Sequence, residues 1–127
     1  MNYIKLEDLD VYRLSREISE KAWSVYKDFG WRIKKIVGDQ FIRSIDSIGA
    51  NIAEGYGRYH YLDKIKFYYN ARGSLLEAKH WLGLLEERKL IEPSEASFLK
   101  EELRSLGIKL NRFINSTFKA KNGSGVK

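Results

Sequence analysis

Cysteine is absent from the 127-residue sequence, proline occurs once and histidine occurs twice. Without cysteine, disulfides, thiolate zinc sites and cysteine nucleophiles are excluded. No apolar run approaches the roughly 18 residues that a membrane span requires, and the opening MNYIKLEDLD lacks the pattern of a signal peptide. We therefore expect a cytoplasmic protein with a single domain and a modest core.

Acidic residues are outnumbered, because 23 Lys and Arg against 17 Asp and Glu give a formal net charge of +6. The excess is concentrated in residues 31–66 and 97–127. A basic balance of this kind favours a polyanionic partner such as nucleic acid. The alternative is that lysine and arginine only solvate the outer faces of helices.

Apolar residues recur at spacings of three and four, which predicts four amphipathic helices at about residues 6–28, 33–56, 62–89 and 94–119. The fourth helix has the most regular spacing, with Leu99, Leu103, Leu106, Leu110 and Phe113. Short connections between helices of this length predict an all-α, antiparallel up-down-up-down four-helix bundle over residues 1–119. The polar, glycine-containing tail, residues 120–127, is predicted to be disordered.

The second predicted helix contains IRSIDSIGANIAEGYGR, which carries glycine, serine and asparagine where helices usually carry Ala, Leu, Glu or Lys. Glycine inside a helix costs ~1 kcal/mol relative to alanine, so the small side chains must serve packing. At 100° per residue, one row of small residues lies away from the core stripe of this helix, and the third helix has a second such row. The members are Gly49 and Ala53 in the second helix and Ala71, Ser74 and Ala78 in the third.

We interpret these two rows as close packing or an oligomer interface. The oligomer is favoured because each helix of a four-helix monomer needs only one buried face. The alternative is a tightly packed single chain in which the two rows face each other.

A group of larger polar residues falls near core-facing positions of the same two helices: Gln40, Arg43, Asn51, Glu54 and Glu77. We interpret them as a buried hydrogen-bonded network that sets helix register, because a lone buried charge is costly. Glu54 with Arg43, or Glu77 with Arg43, are the expected pairs. A functional site is the alternative interpretation.

The candidate nucleic-acid contacts are cations interleaved with aromatic residues, most densely in GRYHYLDKIKFYY. Cations neutralise phosphates while aromatic faces stack on exposed bases, a combination typical of single-stranded nucleic-acid binding. The segment RIKK and the fourth helix add further charge. The predicted contacts are Arg32, Lys34, Lys35, Arg58, Tyr59, Lys64, Lys66, Lys109 and Arg112. The alternative is that the tyrosines pack in the bundle or between subunits.

Sequence features of an enzyme are weak throughout the chain. His60 and His80 lack a Glu-x-x-His pattern, and the glutamates occur in runs typical of solvated faces. Ser74 lacks the strand–turn–helix context of a nucleophile elbow, and EGYGR follows no predicted strand, so it is not a nucleotide-binding turn. We predict no catalytic residue, no metal and no cofactor.

Two segments, QFIRSIDSIGANIAEGYGR and FYYNARGSLLEAKHWL, resemble the bacterial family of four-helix bundle proteins named after the 23S rRNA intervening sequence. The matching positions are Gln40, Arg43, Ser47, Ile48, Asn51, Ile52, Ala53, Glu54, Gly55, Gly57, Arg58, Ala71, Gly73, Ser74 and Leu75. LEDLDVYRLSREI also resembles the opening of the family, so the resemblance covers nearly the whole chain apart from the tail. DFGWRIKK departs from the pattern by replacing a longer proline-containing loop, and Tyr59 replaces a small polar residue.

This resemblance implies an antiparallel four-helix bundle that assembles as a ring-like homopentamer. Related accessory variability proteins of diversity-generating retroelements form basic pentamers that bind nucleic acid and a reverse transcriptase. The expected function is therefore non-enzymatic binding of RNA or DNA by a basic homo-oligomer. The alternative is a protein-interaction scaffold, such as an accessory subunit that binds a reverse transcriptase.

Overall fold

The computed structural model describes residues 4–123, with side chains as far as residue 120. A short 3₁₀ turn, Leu6–Asp8, precedes four long helices. The helices are α1 (Asp10–Tyr26), α2 (Trp31–Ile33, Lys34–Gly38 and Asp39–Tyr56 in succession), α3 (Tyr61–Glu87) and α4 (Pro93–Gly123). The predicted four-helix bundle is confirmed, and the described residues include no strand.

The C-terminal end of α4 differs from the prediction. The helix continues to Gly123 rather than ending near Lys119, because the alanine and lysine residues that follow Phe118 are good helix formers. Residues 120–123 therefore belong to α4. Residues 124–127 of the predicted tail lie outside the described residues.

Contacts between neighbouring helices run in opposite chain directions. Between α1 and α2, Tyr26 bonds to Asp39, while Ser15 packs against Gly49. The same reversal links α2 to α3 through Ser47–Ser74 and Gly55–Tyr68, and α3 to α4 through Glu86–Lys100 and Arg72–Asn111. Successive helices therefore alternate in direction, and α4 also packs on α1.

The apolar core follows the predicted stripes along the bundle axis. On α2 and α4 it consists of fully buried Phe41, Ile45, Ile48, Ile52, Leu99, Leu103, Leu106 and Leu110. Burying a side chain of this size contributes roughly 1.5–3 kcal/mol. Tyr68 of α3 also lies in the core, where its ring centroid is 4.7 Å from that of Phe113. The core thus joins all four helices along their length.

Short connections gather the helix ends at the two ends of the bundle. The corner end contains the α1–α2 connection, residues 27–30, and the α3–α4 connection, residues 88–92. The loop end contains the α2–α3 connection, residues 57–60, and the start of the described chain, where the Tyr56 hydroxyl donates to the Ile4 carbonyl. Because a helix rises 1.5 Å per residue, α2 separates the two ends by ~38 Å.

Candidate nucleic-acid interface

The nine predicted nucleic-acid contacts lie in three separate places. Arg32, Lys34 and Lys35 are at the corner end, whereas Arg58, Tyr59, Lys64 and Lys66 are at the loop end. Lys109 and Arg112 line a hollow with Leu9 and Asp10, on the side of the bundle where α4 meets the start of α1. The structure therefore does not unite these residues in one continuous surface.

The aromatic residues of the α2–α3 connection are largely accessible. Tyr59 is 88% exposed, and its ring meets that of His60 edge-on at 5.0 Å. These two residues line an open hollow of about 560 Å³ together with Arg58, Tyr61 and Lys64. The loop end therefore combines exposed aromatic rings with cations in one concave surface.

Two cations of this hollow already have partners within the chain. Arg58 pairs with Glu54 at 2.8 Å and lies 4.8 Å from the centroid of the Phe67 ring. Lys64 donates to the Tyr56 carbonyl at 2.9 Å, which satisfies one of the unpaired carbonyl groups at the end of α2. Burial lowers the pKa of Lys64 from its usual range. The ion pair offsets the charge of Arg58, and the hydrogen bond leaves Lys64 with fewer N–H donors for phosphate.

The corner end holds a second group of cations among aromatic rings. The Lys34 ammonium lies 4.8 Å from the centroid of the Tyr26 ring, and the Lys35 ammonium lies 5.9 Å from that of Trp31. Trp31 is 71% exposed, and Arg32 is exposed beside it. The sequence analysis predicted the three cations as contacts but neither Tyr26 nor Trp31. The signal for Trp31 is its place directly before the cations in WRIKK.

Tyr26 is held in place between α1 and α2. Its hydroxyl donates to the Asp39 carboxylate at 2.6 Å, and this hydrogen bond raises the pKa of Tyr26 above its usual value. The ring also packs edge-on against Phe29 at 6.3 Å. The aromatic side of the corner end is therefore fixed by contacts from both helices.

The cations at the corner end adjoin an irregular turn of α2. Lys34–Gly38 has π-helical hydrogen bonding, which inserts one extra residue into the helix and is frequent at functional sites. A β-carbon on Gly38 would lie 3.0 Å from Cδ2 of Phe29, so glycine lets Phe29 close the turn between the helices. The π turn thus begins at Lys34 and Lys35, the last two residues of the basic segment that departs from the resembled family.

The predicted network of large polar residues is wrong, because Gln40, Arg43, Glu54 and Glu77 are exposed. Glu54 pairs with Arg58 instead of Arg43, and Glu77 accepts a hydrogen bond from the Trp81 indole at 3.1 Å. At 100° per residue these positions lie roughly 100° or more from the centre of the core stripe of their helix, and their long side chains extend into water instead of entering the core.

A smaller neutral network joins α2 to α3. The Asn51 amide donates to the Ser47 carbonyl at 2.9 Å and to the Ser47 hydroxyl at 3.1 Å. The Ser74 hydroxyl, in turn, lies 3.0 Å from that of Ser47. The link between the helices is therefore the Ser47–Ser74 pair, and Asn51 joins it only through Ser47 of its own helix, without a charged partner.

The small residues mostly serve packing within the chain. A β-carbon on Gly49 would lie 2.8 Å from the Ser15 hydroxyl, and both Ala71 and Ala78 are fully buried. Ser74 is bonded as described, while Ala53 is partly exposed. The premise that a helix of a monomeric bundle buries only one face was wrong, because α2 packs against both α1 and α3.

Gly55 makes the closest approach between α2 and α3. A β-carbon at this position would lie 2.7 Å from Cε1 of Tyr68, 2.9 Å from Cβ of Phe67 and 3.0 Å from the Lys64 carbonyl oxygen. The sequence analysis identified Gly55 only as a position of the family motif and assigned it no packing role. Its packing role brings the start of α3, and the loop-end cations with it, against the end of α2.

Within residues 4–123, no group of three or more His, Asp or Glu side chains is placed to hold a metal ion. No helix in the part of the chain that the structure describes is both long and apolar enough to cross a membrane.

Fold and charge define the class of this molecule as a basic, all-helical four-helix bundle. The family model described as 23S rRNA-intervening sequence protein matches residues 7–112. The chain therefore belongs to the 23S rRNA-intervening sequence protein family. The match includes α1, α2, α3 and most of α4, and with them all nine predicted nucleic-acid contacts.

A solved structure with a similar fold is that of a protein of unknown function from the S23 ribosomal protein family of Bacteroides thetaiotaomicron. The two share 24% sequence identity with a TM-score of 0.74, over 82% of this chain and 97% of the other. At this identity the likeness shows the fold alone. No curated protein gives a significant match to the chain.

Proposed function

We propose that this protein is a non-enzymatic, homo-oligomeric bundle that binds RNA or DNA through its lysine- and arginine-rich ends. The observation that carries the proposal is the occurrence of exposed aromatic rings among cations at both ends of a chain with net charge +6. Cations bind phosphates irrespective of sequence, and aromatic faces accept any base. Several copies of such weak patches in one assembly raise the overall affinity by avidity.

Self-association is supported by a second apolar row on α3, directly opposite its core side. Leu62, Tyr69 and Leu76 repeat every seven residues and are 65%, 41% and 60% exposed. Between them lies Gly73, whose β-carbon would meet no atom within 4 Å. Heptad-spaced apolar residues beside a small residue favour pairing with another helix. A second copy of the chain is the proposed partner, and the family resemblance implies a pentamer.

The nucleic-acid proposal is tested by fluorescence anisotropy of labelled single-stranded RNA, single-stranded DNA and duplex DNA over a range of salt concentrations. Two triple glutamine variants, at Arg32, Lys34 and Lys35 and at Arg58, Lys64 and Lys66, each remove one basic patch. For each phosphate that a variant no longer neutralises, we expect the slope of log affinity against log salt to fall by about 0.7 on single strands.

A charge-matched control replaces three exposed cations outside the predicted set, Arg13, Lys79 and Lys100, with glutamine. If both patch variants bind as the control does, the assignment of the patches is wrong. If the native protein binds nothing at ~50 mM salt, where phosphate contacts are strong, the proposal itself fails.

The second candidate function is a protein-interaction scaffold, for example an accessory subunit that binds a reverse transcriptase. The commitment of Arg58 and Lys64 to contacts within the chain favours it, because these cations are less available to phosphate. Absence of nucleic-acid binding together with a stable oligomer would support the scaffold.

The oligomer is tested by light scattering coupled to size-exclusion chromatography. Leu76→Glu places a charge in the outer row of α3 and is expected to dissociate the assembly without unfolding the chain. Ile108→Glu is the matched control, because Ile108 is an exposed apolar residue on α4, outside that row. A monomeric native protein would contradict the proposed assembly.

A further inference from the structure

The corner end carries an exposed indole ring in the one segment that departs most from the resembled family. We propose that Trp31 stacks on an unpaired base while Arg32, Lys34 and Lys35 contact the adjacent phosphates, so that this end selects single-stranded RNA or DNA. The inference rests on the proposed nucleic-acid binding and names the class of ligand.

The position of Trp31 is not explained by the core of the bundle. Its side chain is 71% exposed at the first residue of α2, whereas Ile33 of the same turn packs against the core. Lys35, one helical turn later, places its ammonium 5.9 Å from the Trp31 ring centroid. One side of the ring therefore has a cation nearby, and the rest of it is open to a second planar group.

The charge around Trp31 complements a polyanion. Residues 23–36 contain Lys27, Arg32, Lys34 and Lys35 but a single acidic residue, Asp28. Asp28 lines a separate hollow formed with the α3–α4 connection.

The loop end is less favourable for phosphate. Its residues 54–66 contain three Lys or Arg against two acids, and Arg58 and Lys64 are engaged within the chain. Of these two segments, residues 23–36 therefore offer phosphate the larger excess of positive charge, +3 against +1.

The geometry favours a single strand over a duplex. In a duplex each base is covered by its neighbours, whereas an unpaired base presents its face to an aromatic ring, and cations beside the ring hold the backbone. A lipid surface would also attract exposed apolar residues among cations, here Trp31 and Ile36. We argue for the nucleic acid because three cations follow Trp31 within four residues, whereas Trp31 and Ile36 are the large apolar side chains that α2 exposes beside them.

The test uses the intrinsic fluorescence of Trp31. The chain contains three tryptophans, so Trp23→Phe with Trp81→Phe leaves Trp31 as the only indole. Titration of this variant with oligouridylate is expected to quench its fluorescence, whereas a duplex RNA of equal length is not. In the otherwise native protein, Trp31→Ala is expected to weaken oligouridylate binding at least about fivefold, the lower end for one stacked base, and duplex binding less than about twofold.

Trp23→Ala is the matched control. Trp23 is also exposed at this end of α1, at 51%, but the hollow that it lines sets two acids, Glu17 and Glu20, against two cations, Lys21 and Lys27, so Trp23 is expected to be neutral in binding. Trp31→Phe retains an aromatic face and is expected to recover most of the affinity. Circular dichroism of each variant verifies that the helices are intact.

The outcomes separate this inference from the proposed function. If the native protein binds neither single strand nor duplex, the proposed function fails and the stacking site fails with it. If the native protein binds oligouridylate and Trp31→Ala binds it equally well, only the stacking site is refuted. Equal losses for single strand and duplex also refute it. So does a blue shift of Trp31 fluorescence with phosphatidylserine vesicles when oligouridylate gives no quenching.

Discussion

Replacing Gly55 with alanine forces a methyl group into the closest approach between α2 and α3. The new carbon would lie 2.7 Å from the Tyr68 ring, 2.9 Å from Cβ of Phe67 and 3.0 Å from the Lys64 carbonyl oxygen. The last two atoms cannot move unless the α3 backbone moves, and Tyr68 is confined to the core at 1% exposure. Overpacking of this kind costs typically about 1–3 kcal/mol.

Alanine also gains ~1 kcal/mol of helix propensity over glycine, so the effect of Gly55→Ala alone combines two opposing contributions. Gly73→Ala separates them, because Gly73 lies within α3 and a β-carbon there meets nothing within 4 Å. We expect Gly73→Ala to raise the free energy of unfolding by up to ~1 kcal/mol. The difference between the two variants then isolates the steric cost, about 1–3 kcal/mol.

Urea unfolding followed by circular dichroism at 222 nm measures both variants against the native protein. Each is run at two protein concentrations, because self-association would make the transition concentration-dependent. If Gly55→Ala stabilises the protein as much as Gly73→Ala does, the close approach of α2 and α3 does not require glycine and the packing explanation is refuted. If Gly73→Ala gains less unfolding free energy at the higher protein concentration than at the lower one, another chain covers this face of α3.

Two further changes test local features of the bundle by the same unfolding assay. Among the described residues, Lys89 is the non-glycine residue with positive φ, 57°, and it follows the end of α3, where the Leu90 N–H donates to the Leu85 carbonyl at 2.9 Å. Glycine adopts this conformation without strain, so Lys89→Gly is expected to raise the free energy of unfolding by up to ~1 kcal/mol. A loss of stability would contradict this. Ser74→Ala removes the hydroxyl that meets Ser47 at 3.0 Å and is expected to cost about 1 kcal/mol, whereas the exposed Ser97→Ala is the control expected to have no such cost.

The spacing of apolar residues predicted the helices and their core stripes, because a helix in this bundle buries every third or fourth residue and those positions must be apolar. The leucines of α4 are an example, since Leu99, Leu103 and Leu106 are fully buried as their spacing indicates. The π turn at Lys34–Gly38 was not predicted. One extra residue in a helix leaves the apolar spacing of WRIKKIVG compatible with an ordinary α-helix, so the sequence pattern alone carries no signal for it.

Positions at the edge of a stripe were not predictable in the same way. Gln40 and Gly49 lie at opposite edges of the core stripe of α2 at 100° per residue, yet Gln40 is exposed and Gly49 is buried against Ser15. The difference depends on which side of α2 the helix α1 occupies, and periodicity within one helix does not contain that information. The positions of the nine predicted nucleic-acid contacts relative to one another likewise depend on how the helices are arranged, which the pattern within one helix does not contain.

The two proposed interactions of this protein meet at Lys66. This residue belongs to the loop-end patch, but at 100° per residue it also lies on the outer side of α3, between Leu62 and Tyr69. A neighbouring copy that covers the outer row would exclude nucleic acid from Lys66. Trp31, Lys34 and Lys35 belong to α2 and do not lie on α3, so a contact through that row leaves them outside the interface. Self-association through α3 would therefore weaken the loop-end patch while repeating the corner-end patch once per subunit, which makes the corner end the stronger candidate for avid binding.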